Sequence, residues 1–214
     1  MKIDYSVPFY ENTPDDTHCF QATLKMVLKY FYPEEEYSRK KLEKITAKVE
    51  GLGTWPYAGL IWLSRKGMEV INIEDFDTQR FIDEGGKYLI AEFGEETGRA
   101  QIEHSDIKQE QKIARQFIKI INVQKRVPEL EEIKKFLKEG YIIICNINSR
   151  ALNLEKGYVG HFIVIKGFEE NSFKIHDPGL PGIENRKIEF SIFEKAWAYP
   201  NEKAKNIMAF RLKA

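Results

Sequence analysis

Two cysteines occur in the chain, and their sequence contexts differ. Cys19 opens the stretch CFQATLKMVLKYF, in which apolar residues recur at helical spacing. Unpaired backbone N–H groups and the positive end of the helix dipole favour a thiolate at such a position. Cys145 lies within the apolar run YIIICNI and is predicted to be buried and inert. Cys19 is therefore the candidate nucleophile, and the alternative is a small buried hydrophobic residue.

A nucleophilic thiolate needs a proton carrier near pH 7, usually an imidazole whose tautomer is fixed by a partner group. His161 is the candidate because it follows Gly160 at the start of an apolar strand that continues as FIVIKGF. The next predicted strand ends in HDPG, so Asp177 should lie close to His161 if the short turn EENS pairs the two strands. The alternatives are a hydrogen-bonded core histidine and an aspartate of an Asx turn.

The remaining histidines are predicted to take no part in the reaction. His18 directly precedes Cys19, and adjacent residues on a helix do not face each other. His176 should point to the opposite face of its strand from Asp177, and we expect it to be structural. His104 lies in a polar stretch and should be solvated.

A metal site is the alternative from a different class of function. Cys19, His161, Asp177 and His18 have side chains that could bind zinc. They occur singly along the chain, whereas zinc ligands usually occur in pairs at short spacings. We therefore expect no metal and no cofactor.

The elements that must position these residues follow from the hydrophobic pattern. Helical spacing predicts a helix over residues 17–32, with Asp16 or Thr17 as its N-cap. Further helices and one short strand, MEVINIEDF, are predicted before residue 140, including a helical insertion at about 97–122. Consecutive antiparallel strands are predicted over 141–148, 160–169, 172–178 and 186–191. Helices first and a sheet last indicate an α+β fold.

Composition limits the classes of function. Lys and Arg together number 33, as do Asp and Glu, so the formal net charge is zero and gives no overall attraction to nucleic acid or anionic membrane. The cationic residues are interleaved with acidic ones, which argues against a nucleic-acid interface. No segment has the length and hydropathy of a membrane span or a signal-peptide core, so we expect a cytoplasmic protein. The length of 214 residues suits one domain over residues 1–214.

Three segments resemble papain-like cysteine peptidases, and within them the C39-like peptidases. They are VPFYEN to HCFQATLKMVLKYF (7–31), GHFIVIKGFEENSFKIHDPG (160–179) and FSIFEKAWA (190–198). The resemblance implies a papain-like cysteine peptidase fold, with an N-terminal helical half packed against a C-terminal antiparallel β-sheet. It makes Cys19 the nucleophile, His161 the general base and acid, and Asp177 the residue that orients His161.

The chain departs from the family pattern at two positions. The glutamine that would bind the oxyanion is absent, because Glu11 and Asn12 follow the aromatic pair FY. Asn12 could donate an amide N–H in its place, whereas an ionised Glu11 would repel the oxyanion. Phe20 follows the nucleophile where the family usually has glycine, and it could narrow access to the cleft.

The resemblance implies that the protein is a thiol protease, a hydrolase that cleaves a peptide or amide bond through Cys19, His161 and Asp177. The expected partner is the peptide or amide substrate alone, with no nucleic acid and no membrane. Two alternatives remain open. One is a weak or inactive member of the same fold that binds a peptide, and the other is an acyltransferase that uses the same triad.

Overall fold

The computed structural model describes residues 2–213. The helices are α1 (Cys19–Phe31), α2 (Arg39–Ile45), α3 (Tyr57–Arg65), α4 (Thr78–Glu84), α5 (Gly86–Glu103), α6 (Ile107–Ile120), α7 (Leu130–Lys138), α8 (Ser149–Leu152) and α9 (Phe190–Trp197). The strands are β1 (Ile3–Asp4), β2 (Met68–Glu74), β3 (Val123–Gln124), β4 (Ile142–Asn148), β5 (Gly160–Glu169), β6 (Ser172–Asp177), β7 (Ile183–Glu189) and β8 (Asn206–Leu212).

Within residues 2–213 the strands form one sheet in the order β3, β2, β8, β4, β5, β6, β7, and β1 pairs with β5. All pairs are antiparallel except β2 with β3. Strands β4 to β7 are consecutive neighbours, as the short connections predicted. The sheet also takes strands from the N-terminal half, because β2 pairs along its whole length with β8. The fold is α+β, as predicted.

Strand β5 separates the two hydrophobic clusters of the core. Phe162 and Val164 pack with the cluster that contains α1, α3 and α6. Ile163 and Ile165 point to the opposite face and pack with the cluster formed by α7 and α9. Because β5 is buried on both faces, its sequence is a nearly continuous apolar run.

Phe20 lies in the core and not in the cleft. Its side chain is fully buried, and its ring centroid lies 4.8 Å from that of Phe162. A Cβ atom at Gly59 would come within 2.8 Å of Phe20 Cε1, so α3 can approach α1 only through this glycine. The expectation that Phe20 narrows access to the cleft is therefore wrong, because its ring lies in the core. Burying the ring stabilises the packing of α1 and α3 by about 2–3 kcal/mol.

The stretch at about 97–122 is mainly helical and comprises the end of α5 and the whole of α6. Ala114 and Phe117 of α6 are fully buried, and the Phe117 ring lies 4.4 Å from the ring of Tyr57. The stretch thus packs on the same core cluster as α1. Its role as an insertion stays a prediction.

Candidate active site

Cys19 is the first residue of α1, and the helix start is left without a side-chain cap. The predicted N-caps, Asp16 and Thr17, are wrong: the N-cap is His18, whose side chain makes no capping hydrogen bond. The Asp16 carboxylate accepts a hydrogen bond from the Asn12 amide instead, with 2.7 Å between Nδ2 and Oδ1. Backbone N–H groups of the first helical turn therefore stay available to a ligand beside the thiol.

His161 and Asp177 lie on the neighbouring strands β5 and β6, and both side chains are buried. His161 Nε2 lies 2.8 Å from Asp177 Oδ1. Burial by itself would lower the pKa of His161, but hydrogen bonds to Asp177 and to the Cys19 side chain outweigh it and raise the pKa to about 10. The structure thus brings together the three residues that the sequence singled out.

The Asp177 carboxylate is held by more than the imidazole. Its Oδ1 also accepts the backbone N–H of Gly179 at 3.0 Å, and its Oδ2 accepts Nη1 of Arg186 at 2.7 Å. Burial would raise the pKa of Asp177, but these donors, with His161 the strongest, lower it to about 2. Asp177 is therefore an ionised, fixed partner for the His161 ring at neutral pH.

Arg186 on β7 was not identified from the sequence. Its Nη2 atom donates to the Leu152 carbonyl at 3.2 Å and to Asn153 Oδ1 at 2.8 Å, which holds the guanidinium plane against Asp177. In the sequence it is a single arginine on the strand after HDPG, and nothing near it indicates its contact with Asp177. The register between β6 and β7 changes at an irregularity between Ile175 and Asp177.

Asn12 organises the loop before α1. Its Oδ1 accepts the backbone N–H groups of Thr13 at 2.9 Å and His18 at 2.8 Å, while Nδ2 donates to Asp16. One hydrogen of the amide nitrogen is left after these bonds. The backbone N–H of Asn12 donates to the Pro178 carbonyl at 2.8 Å, which ties this loop to the turn that follows Asp177.

His18 and His176 have structural partners. His18 Nδ1 lies 2.7 Å from Thr13 Oγ1, and its Nε2 lies 3.0 Å from Glu43 Oε1, so the ring is turned to α2. His176 Nε2 lies 2.8 Å from the Val7 carbonyl and, as predicted, the residue is structural. His104 is exposed.

A metal centre finds no support in the part of the chain that the structure describes. Among residues 2–213, no three His, Cys, Asp or Glu side chains are grouped as a metal site would require.

A cavity of about 560 Å³ opens beside Cys19 on the α1 face of the sheet. Its lining includes Trp55 from the loop before α3, Tyr158 from the loop before β5, and Glu74 at the end of β2. Such a cleft, apolar with a few polar groups, is the usual form of a binding site.

An α+β chain with a cysteine at a helix start and a His–Asp pair on the adjoining antiparallel sheet has the architecture of the papain-like peptidases. The chain belongs to the Peptidase_C39 like family, whose model matches residues 4–205. The family predicted from the three sequence segments is thereby confirmed.

The chain is also similar to the crystal structure of a candidate C39-like peptidase from Bacillus anthracis. The TM-score is 0.56 at 16% sequence identity, and the match covers 100% of both chains. At this identity the likeness is one of fold. No curated protein matches the sequence. Among residues 2–213, no helix combines the length and the apolar character that crossing a membrane requires.

Proposed function

We propose that the protein hydrolyses a peptide or amide bond, with Cys19 as nucleophile, His161 as proton carrier and Asp177 as the residue that orients His161. One observation carries the proposal: His161 hydrogen-bonds to Asp177, and Cys19, which lines an open cavity, is near enough to help raise the pKa of His161. A structural cysteine would need neither a buried imidazole partner nor an adjoining cleft.

The first half of the reaction forms an acyl-enzyme. Asp177 fixes the Nε2–H of His161, so Nδ1 is the ring nitrogen that serves Cys19. Because the pKa of His161 is raised to about 10, the ring is protonated at neutral pH and stabilises a thiolate beside it. The Cys19 thiolate attacks the substrate carbonyl, the C–N bond breaks, and His161 gives its proton to the leaving amine.

The second half releases the acyl group. The neutral His161 takes a proton from water, the new hydroxide oxygen bonds to the thioester carbon, and the C–S bond breaks to give the carboxylic acid. The backbone N–H of Cys19, at the uncapped helix start, is one donor for the oxyanion of both steps. The remaining N–H of Asn12 is the proposed second donor.

Alkylation by iodoacetamide near pH 7 tests the reactive pair. Cys145 is a control within the same chain, because it is fully buried and burial raises the pKa of its thiol. Cys19 should react much faster than Cys145, and His161→Ala should slow Cys19 by about tenfold or more. If Cys19 reacts no faster than Cys145, or if its rate is the same in H161A, the catalytic assignment is wrong.

A peptide-binding protein without turnover is the second candidate. The observation that favours it is the Asn12 amide, which already contacts Asp16, Thr13 and His18 and has one N–H left for an oxyanion. A reactive Cys19 that forms no acyl-enzyme with any member of an activated-ester peptide library would support this candidate. Burst release of the leaving group from such a library would exclude it.

A further inference from the structure

A row of four side chains crosses the sheet from the residue after His161 to a half-buried carboxylate, that of Glu74. Phe162 on β5, which follows His161, pairs with Asn146 on β4. Asn146 forms two hydrogen bonds with Asn206 on β8. The backbone N–H of Asn146 donates to Asn206 Oδ1 at 2.8 Å, and Asn206 Nδ2 donates to the Asn146 carbonyl at 2.9 Å. Asn206 in turn pairs with Glu74 on β2.

All four side chains of this row line the cavity that also contains Cys19. Directly paired residues in antiparallel strands point to the same face of the sheet, here the α1 face. The cavity therefore runs across the strands, and both Cys19 and Glu74 line it. Strands β5 and β2 are three strand spacings apart, which is about 14 Å.

The Glu74 carboxylate has no cationic partner among residues 2–213. It accepts one hydrogen bond, from Asn72 Nδ2 at 2.8 Å, and no lysine or arginine of the described chain forms an ion pair with it. Burial raises the pKa of Glu74 to about 7. A carboxylate shielded in this way is costly unless it gains a cation or hydrogen-bond donors.

A second acceptor in the same cavity has no donor among the described residues. Gln101, on α5, lines the cavity, and its Oε1 is buried with no hydrogen-bond partner among the described residues. The walls are aromatic and include Trp55 and Tyr158, whose ring faces attract cations. A carboxylate without a cation and an amide oxygen without a donor, between aromatic walls, fit a ligand group that is positively charged and rich in N–H donors.

We propose that Glu74 is a specificity residue that binds a lysine or arginine side chain of the peptide substrate. This inference rests on the proposed peptidase function of Cys19. An extended lysine or arginine side chain reaches about 6–7 Å, and each residue of an extended peptide advances about 3.3 Å. Spanning about 14 Å therefore places the basic residue two or three positions from the scissile bond.

Peptide binding to the Cys19→Ala variant tests the specificity without requiring turnover. In a library of otherwise neutral peptides, lysine, arginine or norleucine is placed at each position around the scissile bond. Lysine or arginine two or three positions from the bond should tighten binding about tenfold relative to norleucine, as expected for a partly buried charge pair. Glu74→Gln should remove the difference, and Glu139→Gln, which alters an exposed glutamate beyond α7, should keep it.

The outcomes separate the two proposals. If no position prefers a basic residue, or if E74Q keeps the preference, the role of Glu74 is wrong. Fast, His161-dependent alkylation of Cys19 in E74Q would leave the peptidase function standing in that case. Slow alkylation of Cys19 in the otherwise unchanged chain would overturn the peptidase function whatever the peptides do. Equal urea midpoints for E74Q and E139Q check that both variants are folded.

Discussion

The Arg186 guanidinium binds the carboxylate oxygen of Asp177 that does not face His161, at 2.7 Å, while the other oxygen contacts His161 at 2.8 Å. Arg186 is thus a positioning residue that acts on His161 through Asp177. Its own position is fixed by the Leu152 carbonyl and by Asn153. The imidazole is held by a chain of groups that extends from β5 to β7.

Replacing Arg186 by alanine should slow the alkylation of Cys19 by about tenfold at pH 6–7, because Asp177 loses a donor and holds His161 less firmly. The acidic limb of the pH–rate profile should move to higher pH, since the pKa of Asp177 rises without the cation. Arg186→Lys should restore part of the rate. Arg115→Ala, at an exposed position of α6, is the control. A profile that keeps its shape in R186A would leave Arg186 a merely structural role.

The pairing of His161 makes a pH-dependent contribution to stability. Its pKa is raised from the ordinary 6.5 to about 10, so this contribution is fully present below pH 6.5 and is lost as the pH rises to 10. Urea unfolding should therefore find His161→Gln much less stable than the unchanged chain at pH 6 and closer to it at pH 10. His104→Gln, at an exposed histidine, should show no such trend. A stability difference for H161Q that is constant from pH 6 to 10 would contradict the pairing.

Replacing Phe20 by glycine, the residue usual in the family, should destabilise the protein by about 3–5 kcal/mol and leave the cleft unchanged, because the ring is fully buried against Phe162. Urea unfolding measures the loss, and the Cys19 alkylation rate reports access to the cleft. A loss under about 1 kcal/mol, far below what a buried ring costs, together with faster alkylation, would mean that Phe20 does cover the thiol.

Replacing Asn12 by alanine removes the acceptor for the backbone N–H groups of Thr13 and His18. Leaving these donors unpaired should cost about 1–3 kcal/mol of stability. If the amide also binds the oxyanion, acyl-enzyme formation should fall by a further 10²–10³-fold, roughly, while alkylation, which forms no oxyanion, should fall far less. Equal losses in the two reactions would restrict Asn12 to organising the loop.

The sequence predicted contacts between neighbouring segments of the chain better than contacts that depend on the register of strand pairing. His161 and Asp177 lie on strands joined by a turn of two residues, so predicting that the two strands pair was enough to bring both residues to the same end of the hairpin. The irregularity between Ile165 and Gly167, which sets the register of the two residues, was not predicted. Arg186 was out of reach because β6 and β7 change register between Ile175 and Asp177, and no local pattern fixes such an irregularity.

Glu74 was missed for a different reason. The strand that contains it was predicted, but its place in the sheet depends on pairing with β8, more than a hundred residues away in the chain. The N-caps proposed for α1 failed because Asp16 found a competing partner in Asn12. N-cap preferences describe an Asp, Asn, Ser or Thr at an isolated helix end. In a loop that contains several such residues, their side chains can hydrogen-bond to one another and leave the helix uncapped.

The hydrogen bond from the Asn12 backbone to the Pro178 carbonyl has a consequence for biosynthesis. The loop that positions the thiol is made early, but its anchor belongs to a turn made more than 160 residues later. A nascent chain therefore carries the cysteine without its imidazole, its carboxylate or the loop's anchor. Cys19, His161 and Asp177 can therefore come together only after synthesis has passed residue 178.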